Sequence, residues 1–584
     1  MSRLLIAALA LVPAAFADDD ALKPVLELQK VGKLLNKADY PAVRAAAANA
    51  FATRHADDIK AAFGDDHSGL TDWLAKRKDI REEFFSAIHE TKDEIPAVLE
   101  TFRALWKADA AAVEKYPNLA IAVSVVWDAP GHLYDYRPHQ VRTKSILPKD
   151  YLKFGALDEF KYHVGHAKEV QAKEAANRLE VLPWEFLVYV VDHRTPVAER
   201  EWAIKNYLTK RPLVGKIYHE IKYDDEMLRT RSEVCALNDH DYTLPDIRKY
   251  GGVCAMQADF AARVGKSLGV PAAYIRGEAS GGERHAWVMW VEVRSMSKAR
   301  LEFSLESWGR YREDNYYTGE VVDPQTGAEI LDRDLERRLG TVATDRVGKR
   351  QADLVMESYD GIAKANNFDP KKKIQFLTDV LNKLSPVNEA AWLELARMAR
   401  DGETTPENKK AILDQANRLV MVFAKYPDFS WKVAPDMLAV QPDKLSRNRF
   451  YESLVVLYER AERPDLASQA RLKWAEFLGE EKKWTLAAQG LTQTIKKFPN
   501  EGRYIPKLVD ELKKVCGEFG GGTNHMAKTY VELVRLMNPH RGDEITKYYS
   551  KMSREALDYL RLEKKKKEAD EVEKLMRAAG IKDL

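Results

Sequence analysis

The chain has 584 residues, 45% of them hydrophobic, which exceeds what one core organises and sets an expectation of about two to four domains. Its 92 basic and 90 acidic residues nearly cancel, so there is no overall field to draw in nucleic acid or an anionic membrane. Three cysteines, Cys235, Cys254 and Cys516, are too few for a disulfide framework and lack the C-x-x-C pairs of a structural zinc site, although a Cys235–Cys516 pairing stays open.

Arg3 precedes the apolar run Leu4 to Val12, too short to span a bilayer, and Ala15-Phe16-Ala17 follows ahead of three aspartates. This predicts a secretory signal peptide of bacterial type over 1–17, cut before Asp18, and a secreted or periplasmic mature chain. No later stretch is long and apolar enough to predict a transmembrane segment.

From 18 to 180 apolar residues recur three and four apart, as in Tyr40 to Phe63 and Glu94 to Tyr116, which predicts a helical N-terminal region. Phe186 to Val191 reads as a buried strand or helix segment, and Val197 to Leu208 as a helix. Between Gly251 and Gly319 the period changes. Cys254 to Leu268 is helical, whereas Ala272 to Arg276, His285 to Val293 and Leu301 to Leu305 are strand-like. Ser295 to Ala299 is short enough to join the last two as an antiparallel hairpin. Ile275 and Val291 are expected to be buried, and Trp287, Trp290 and Trp308 to serve as core and cleft wall.

Over 352–584 helical texture returns, with Lys425-Tyr426-Pro427-Asp428 echoed by Lys497-Phe498-Pro499-Asn500. Ala487, Leu491 and Pro499 fall at the small, bulky and terminating offsets of a tetratricopeptide-like repeat, which predicts a helical-hairpin array.

The chemistry concentrates in Tyr250-Gly251-Gly252-Val253-Cys254-Ala255-Met256, a flexible turn that runs into a helix with Cys254 at its start. Unsatisfied N–H groups and the positive end of the helix dipole favour the nucleophilic thiolate there, and the glycines allow a substrate backbone to approach. His285 opens the strand-like His285-Ala286-Trp287-Val288 and suits the role of base to the thiol. Glu302, Ser304 and Glu306 share one face of the next strand, from which one of them can orient the imidazole.

Gly-Val-Cys opening a helix, then Ser267-Leu268-Gly269-Val270-Pro271-Ala272, then His285-Ala286-Trp287-Val288, closely resembles the transglutaminase-like superfamily. The resemblance implies an α+β, papain-like core over 181–335, a cysteine helix packed on an antiparallel sheet, and acyl transfer or amide hydrolysis through Cys254 and His285. The family usually places an aspartate in an Asp-Pro context on the strand after the histidine, whereas here Leu305-Glu306-Ser307-Trp308 stands. Glu306 is the expected third member and Ser304 its competitor, while Asp323-Pro324 restores the dipeptide much farther along.

Other apparent motifs fail on mechanism. Gly265-Lys266-Ser267 lacks the first glycine of a phosphate-binding loop, and His163, His166 and Glu169 on one helix do not converge as metal ligands. No cofactor or metal is expected. The sequence thus points to an exported thiol hydrolase or acyltransferase with a peptide or protein substrate. The alternative is a noncatalytic scaffold whose helical repeats bind protein or envelope partners.

Overall fold

The computed structural model describes residues 19–171, 178–278, 284–296, 301–308, 318–405, 408–440, 443–541 and 544–583. The predicted signal peptide, most of the predicted hairpin connection and the side chain of Trp308 lie outside them. The chain is mostly helical with a five-stranded sheet, an α+β arrangement. Among the described residues no helix is long and apolar enough to cross a membrane. One compact unit lies within Met1–Ile275, Ala286–Trp308 and Glu320–Glu394, and a second within Arg276–His285, Gly309–Gly319 and Leu395–Leu584.

In the first unit, helix Pro117–Val126 is apolar on every side, and Leu119 through Val126 are all buried. An all-round apolar helix needs a complete protein jacket. Ile95–Ala108 supplies part of it, and so does Trp184–Val191, the segment whose sequence left strand and helix open and which is a helix. Polar ties set this packing: Asn118 donates to the Leu182 carbonyl and the Trp127 indole to the Val191 carbonyl, both at 2.9 Å.

The sheet comprises β1 (Ala272–Glu278), β2 (Arg284–Met296), β3 (Leu301–Trp308), β4 (Gly319–Val322) and β5 (Glu329–Leu331), in the order β3-β2-β1-β4-β5. β2 and β3 pair antiparallel from Val288 opposite Trp308, with an irregularity at Val293–Ser295. As expected, Ile275 and Val291 are buried, 0% and 1% exposed. Trp287 and Trp290 are buried too, and a Cβ on Gly215 would stand 2.1 Å from the Trp290 ring, so only glycine admits that indole.

The turn between β4 and β5 is built by Asp323, whose carboxylate accepts the N–H groups of Gln325 and Thr326 and pairs with Arg338 at 2.8 Å. Gln325 in turn donates to the Ala87 carbonyl and to Asp93, each at 2.9 Å, locking the turn onto the N-terminal helices. Burial, with the charges of Asp128 and Asp323 adding to it, pushes Asp93 up to about 8. Folded Asp93 therefore holds its proton more tightly than the unfolded chain does. Its contribution to stability is complete below about pH 4, where an unfolded aspartate is protonated, and is lost as pH rises to about 8. The slope for one proton is at most about 1.4 kcal/mol per pH unit. Asp93→Asn is expected to flatten the fall of the thermal midpoint across this range, and wild-type and variant profiles that stay parallel would refute the assignment.

The second unit stacks helices Lys444–Arg460, Pro464–Glu480, Trp484–Lys497, Ile505–Gly517, Gly522–Leu536, Lys547–Leu562 and Lys566–Ala578. Ala487 and Leu491, the offsets noted in the sequence, are buried in its core with Leu512, Tyr530 and Met552. Three of the connections share one device. Glu462, Lys482 and Lys564 each take a left-handed φ, at 52°, 55° and 56°. The next N–H in each case bonds back to the carbonyl five residues earlier, as in Lys483 to Leu478 and Lys565 to Leu560 at 2.8 Å.

Candidate active site

The helix Cys254–Ser267 begins at the predicted cysteine. Gly251 precedes it at φ +88°, where a Cβ would lie 2.3 Å from the Lys222 carbonyl oxygen. Both the left-handed backbone and the crowding demand glycine. Gly252 donates to the Lys222 carbonyl at 3.0 Å and accepts from the Asp224 N–H at 3.1 Å. One turn into the helix, the buried Gln257 amide donates to the Ile221 carbonyl at 2.9 Å. Segment 221–224 thereby fixes the helix start. The N-cap, Val253, offers no side-chain cap, which leaves the first-turn N–H groups without the partner a serine or aspartate would provide.

Among the three thiols, Cys254 alone is half-exposed, and all three cysteines are free. Burial raises the Cys235 thiol and pushes the Cys516 thiol up to about 11. Neither competes with Cys254 as a nucleophile at neutral pH.

The far side of the cysteine helix carries an ionic network that the sequence reading missed. Arg263 donates to Glu199 at 2.6 Å, to the Thr195 hydroxyl at 3.0 Å and to Asp259 at 3.4 Å, and its guanidinium lies 3.9 Å over the Tyr136 ring. Burial alone would lower Arg263, but the charge of Glu199, aided by Tyr136 and Asp259, outweighs it and holds the group above the usual arginine range. Tyr134 donates to Asp259 at 2.7 Å, and Lys266 binds the Tyr189 carbonyl at 2.9 Å and the Asp192 carboxylate. Arg200 extends the network to Glu159, which also holds His163 at 2.8 Å. Lys266, read in the sequence as part of a false phosphate loop, is thus a buried fastener. Asp259, Arg263 and Lys266 recur at helical spacing, and that was the available signal; their partners Tyr134, Glu199 and Asp192 lie 125, 64 and 74 positions away in the chain.

His285 is the second residue of β2 and is buried. Glu306 stands opposite Trp290 on β3, with Arg294 at 3.9 Å. Five positions of β2 separate Trp290 from His285, roughly 16 Å of strand at about 3.3 Å per residue. Hydrogen-bond reach is about 3 Å, so the partner this register gives Glu306 is Trp290 and not the imidazole. Ser304, the competitor, is farther still, opposite Glu292, and accepts from Arg294 at 3.3 Å. Asp323 is committed to its turn and to Arg338. Among the described residues no group of three His, Cys, Asp or Glu side chains is placed to hold a metal ion. Comparison with family models, with curated proteins and with solved structures finds no match to this chain.

Proposed function

We propose that this chain is an exported thiol hydrolase or acyltransferase with a transglutaminase-like core, acting on a peptide or carboxamide bond through Cys254 and His285. The observation that carries the reading is a half-exposed cysteine opening an otherwise buried helix straight after a glycine-only turn. In the reaction, Sγ of Cys254 attacks the carbonyl carbon while His285 takes the thiol proton. The C–N bond then breaks, the imidazolium returns the proton to the departing amine or ammonia, and a thioester remains. Water attacks the thioester to give the acid and the free thiol, or an amine attacks to give a new amide. The uncapped N–H groups of the first helical turn suit the oxyanion, a contribution worth roughly 3 kcal/mol in comparable sites.

The test is labelling of the folded full chain with a thiol-directed vinyl probe. Cys254 is expected to react alone, and His285→Gln to slow the reaction at least about tenfold. Labelling of Cys254 at an unchanged rate in that variant would sink the pair. The helical hairpins would then favour the second reading, a scaffold that presents its repeats to protein partners.

A further inference from the structure

In the first unit, residues of 130–152 and Arg194 line a cavity of about 280 Å³ that is open to solvent on one side. Its walls include Leu133, Asp135, Arg137, Tyr151, Leu152 and Arg194. Its size is just under the range of roughly 300–1,000 Å³ usual for small-molecule sites, which limits an occupant to a small molecule.

The charges in the wall do not cancel. Arg137 donates twice from Nε to Asp135, at 3.0 and 2.8 Å, and Tyr151 adds a third bond to that carboxylate at 2.8 Å. Asp135 and Arg137 therefore neutralise one another. Arg194 is left over: its guanidinium lies 5.6 Å over the Trp127 ring, and among the described residues no carboxylate pairs with it. The side chain is half-buried, and its backbone is held from both sides. Arg200 binds the His193 carbonyl at 2.9 Å before it and the Thr195 carbonyl at 2.6 Å after it. A guanidinium set on a fixed backbone, one net positive charge and apolar walls match a monoanion with a hydrocarbon body.

We propose that this cavity binds a small organic carboxylate, with Arg194 gripping the carboxylate and Leu133, Tyr151 and Leu152 packing on its apolar part. The proposal is independent of the chemistry at Cys254. Isothermal titration of the full chain with 3-phenylpropanoate and with its uncharged carboxamide tests it. The acid is expected to bind at a single site, and the amide at least about tenfold more weakly, because the charge-assisted bonds are lost. Arg194→Gln is expected to weaken the acid by a similar factor. Leu152 is 67% exposed, so Leu152→Asp leaves folding undisturbed and is expected to weaken the acid by placing a like charge beside it. Absence of saturable binding at millimolar acid, equal affinity for acid and amide, or indifference to both substitutions would overturn the proposal.

Discussion

Arg263→Met is expected to destabilise the first unit by about 3–5 kcal/mol, the range seen when one partner of a buried ion pair is removed. The loss comes less from the bonds that Arg263 makes than from what stays behind. Glu199 and Asp259, both buried, would face one another without their shared cation. Among the described residues Glu199 keeps just the Leu244 N–H, at 2.7 Å, and Asp259 keeps the Tyr134 hydroxyl. Denaturant unfolding measures the change. The double variant Arg263→Met, Glu199→Leu is expected to recover a substantial part of it, because an apolar pair no longer strands a charge. If the single variant loses under about 1 kcal/mol, the network contributes no more than a surface ion pair and does not hold the cysteine helix.

Cys254→Ser is expected to abolish turnover, measured as ammonia or amine released from carboxamide peptides, while the thermal midpoint stays close to wild type. A single sulfur-to-oxygen exchange at a half-exposed site removes the thiolate and hardly alters volume. His285→Gln is expected to fall nearly as far. Glu306→Gln is expected to stay within about twofold of wild type, since the β2–β3 register keeps that carboxylate from the imidazole. A loss with Glu306→Gln that matches His285→Gln would show that the strands pair differently in the active protein. Retained turnover in Cys254→Ser would refute the thiol mechanism.

The cysteine helix, both strands of the hairpin and the burial of Ile275 and Val291 were legible in the sequence because each is a local pattern, helical spacing or alternation, read within about ten residues. The position of Glu306 along β2 was not legible, for the converse reason. Alternation shows which residues share a face, but not how far one strand slides along its neighbour. The ionic network behind Cys254 was hidden similarly. Asp192 follows an apolar run and Glu199 sits in a helix without a clear apolar face, so neither carries a local sign of its partner, and only the fold brings them to Lys266 and Arg263.

The left-handed turns at Glu462, Lys482 and Lys564 carry a mechanical consequence. A side chain in that conformation costs about 1 kcal/mol more than glycine would, so each turn is a weak hinge between helices whose strength lies in their packing. An array of such units transmits load from one hairpin to the next. Pulled from its C-terminus, the second unit should therefore extend in steps, shedding Lys566–Ala578 and Lys547–Leu562 before the hairpins nearer residue 444 yield.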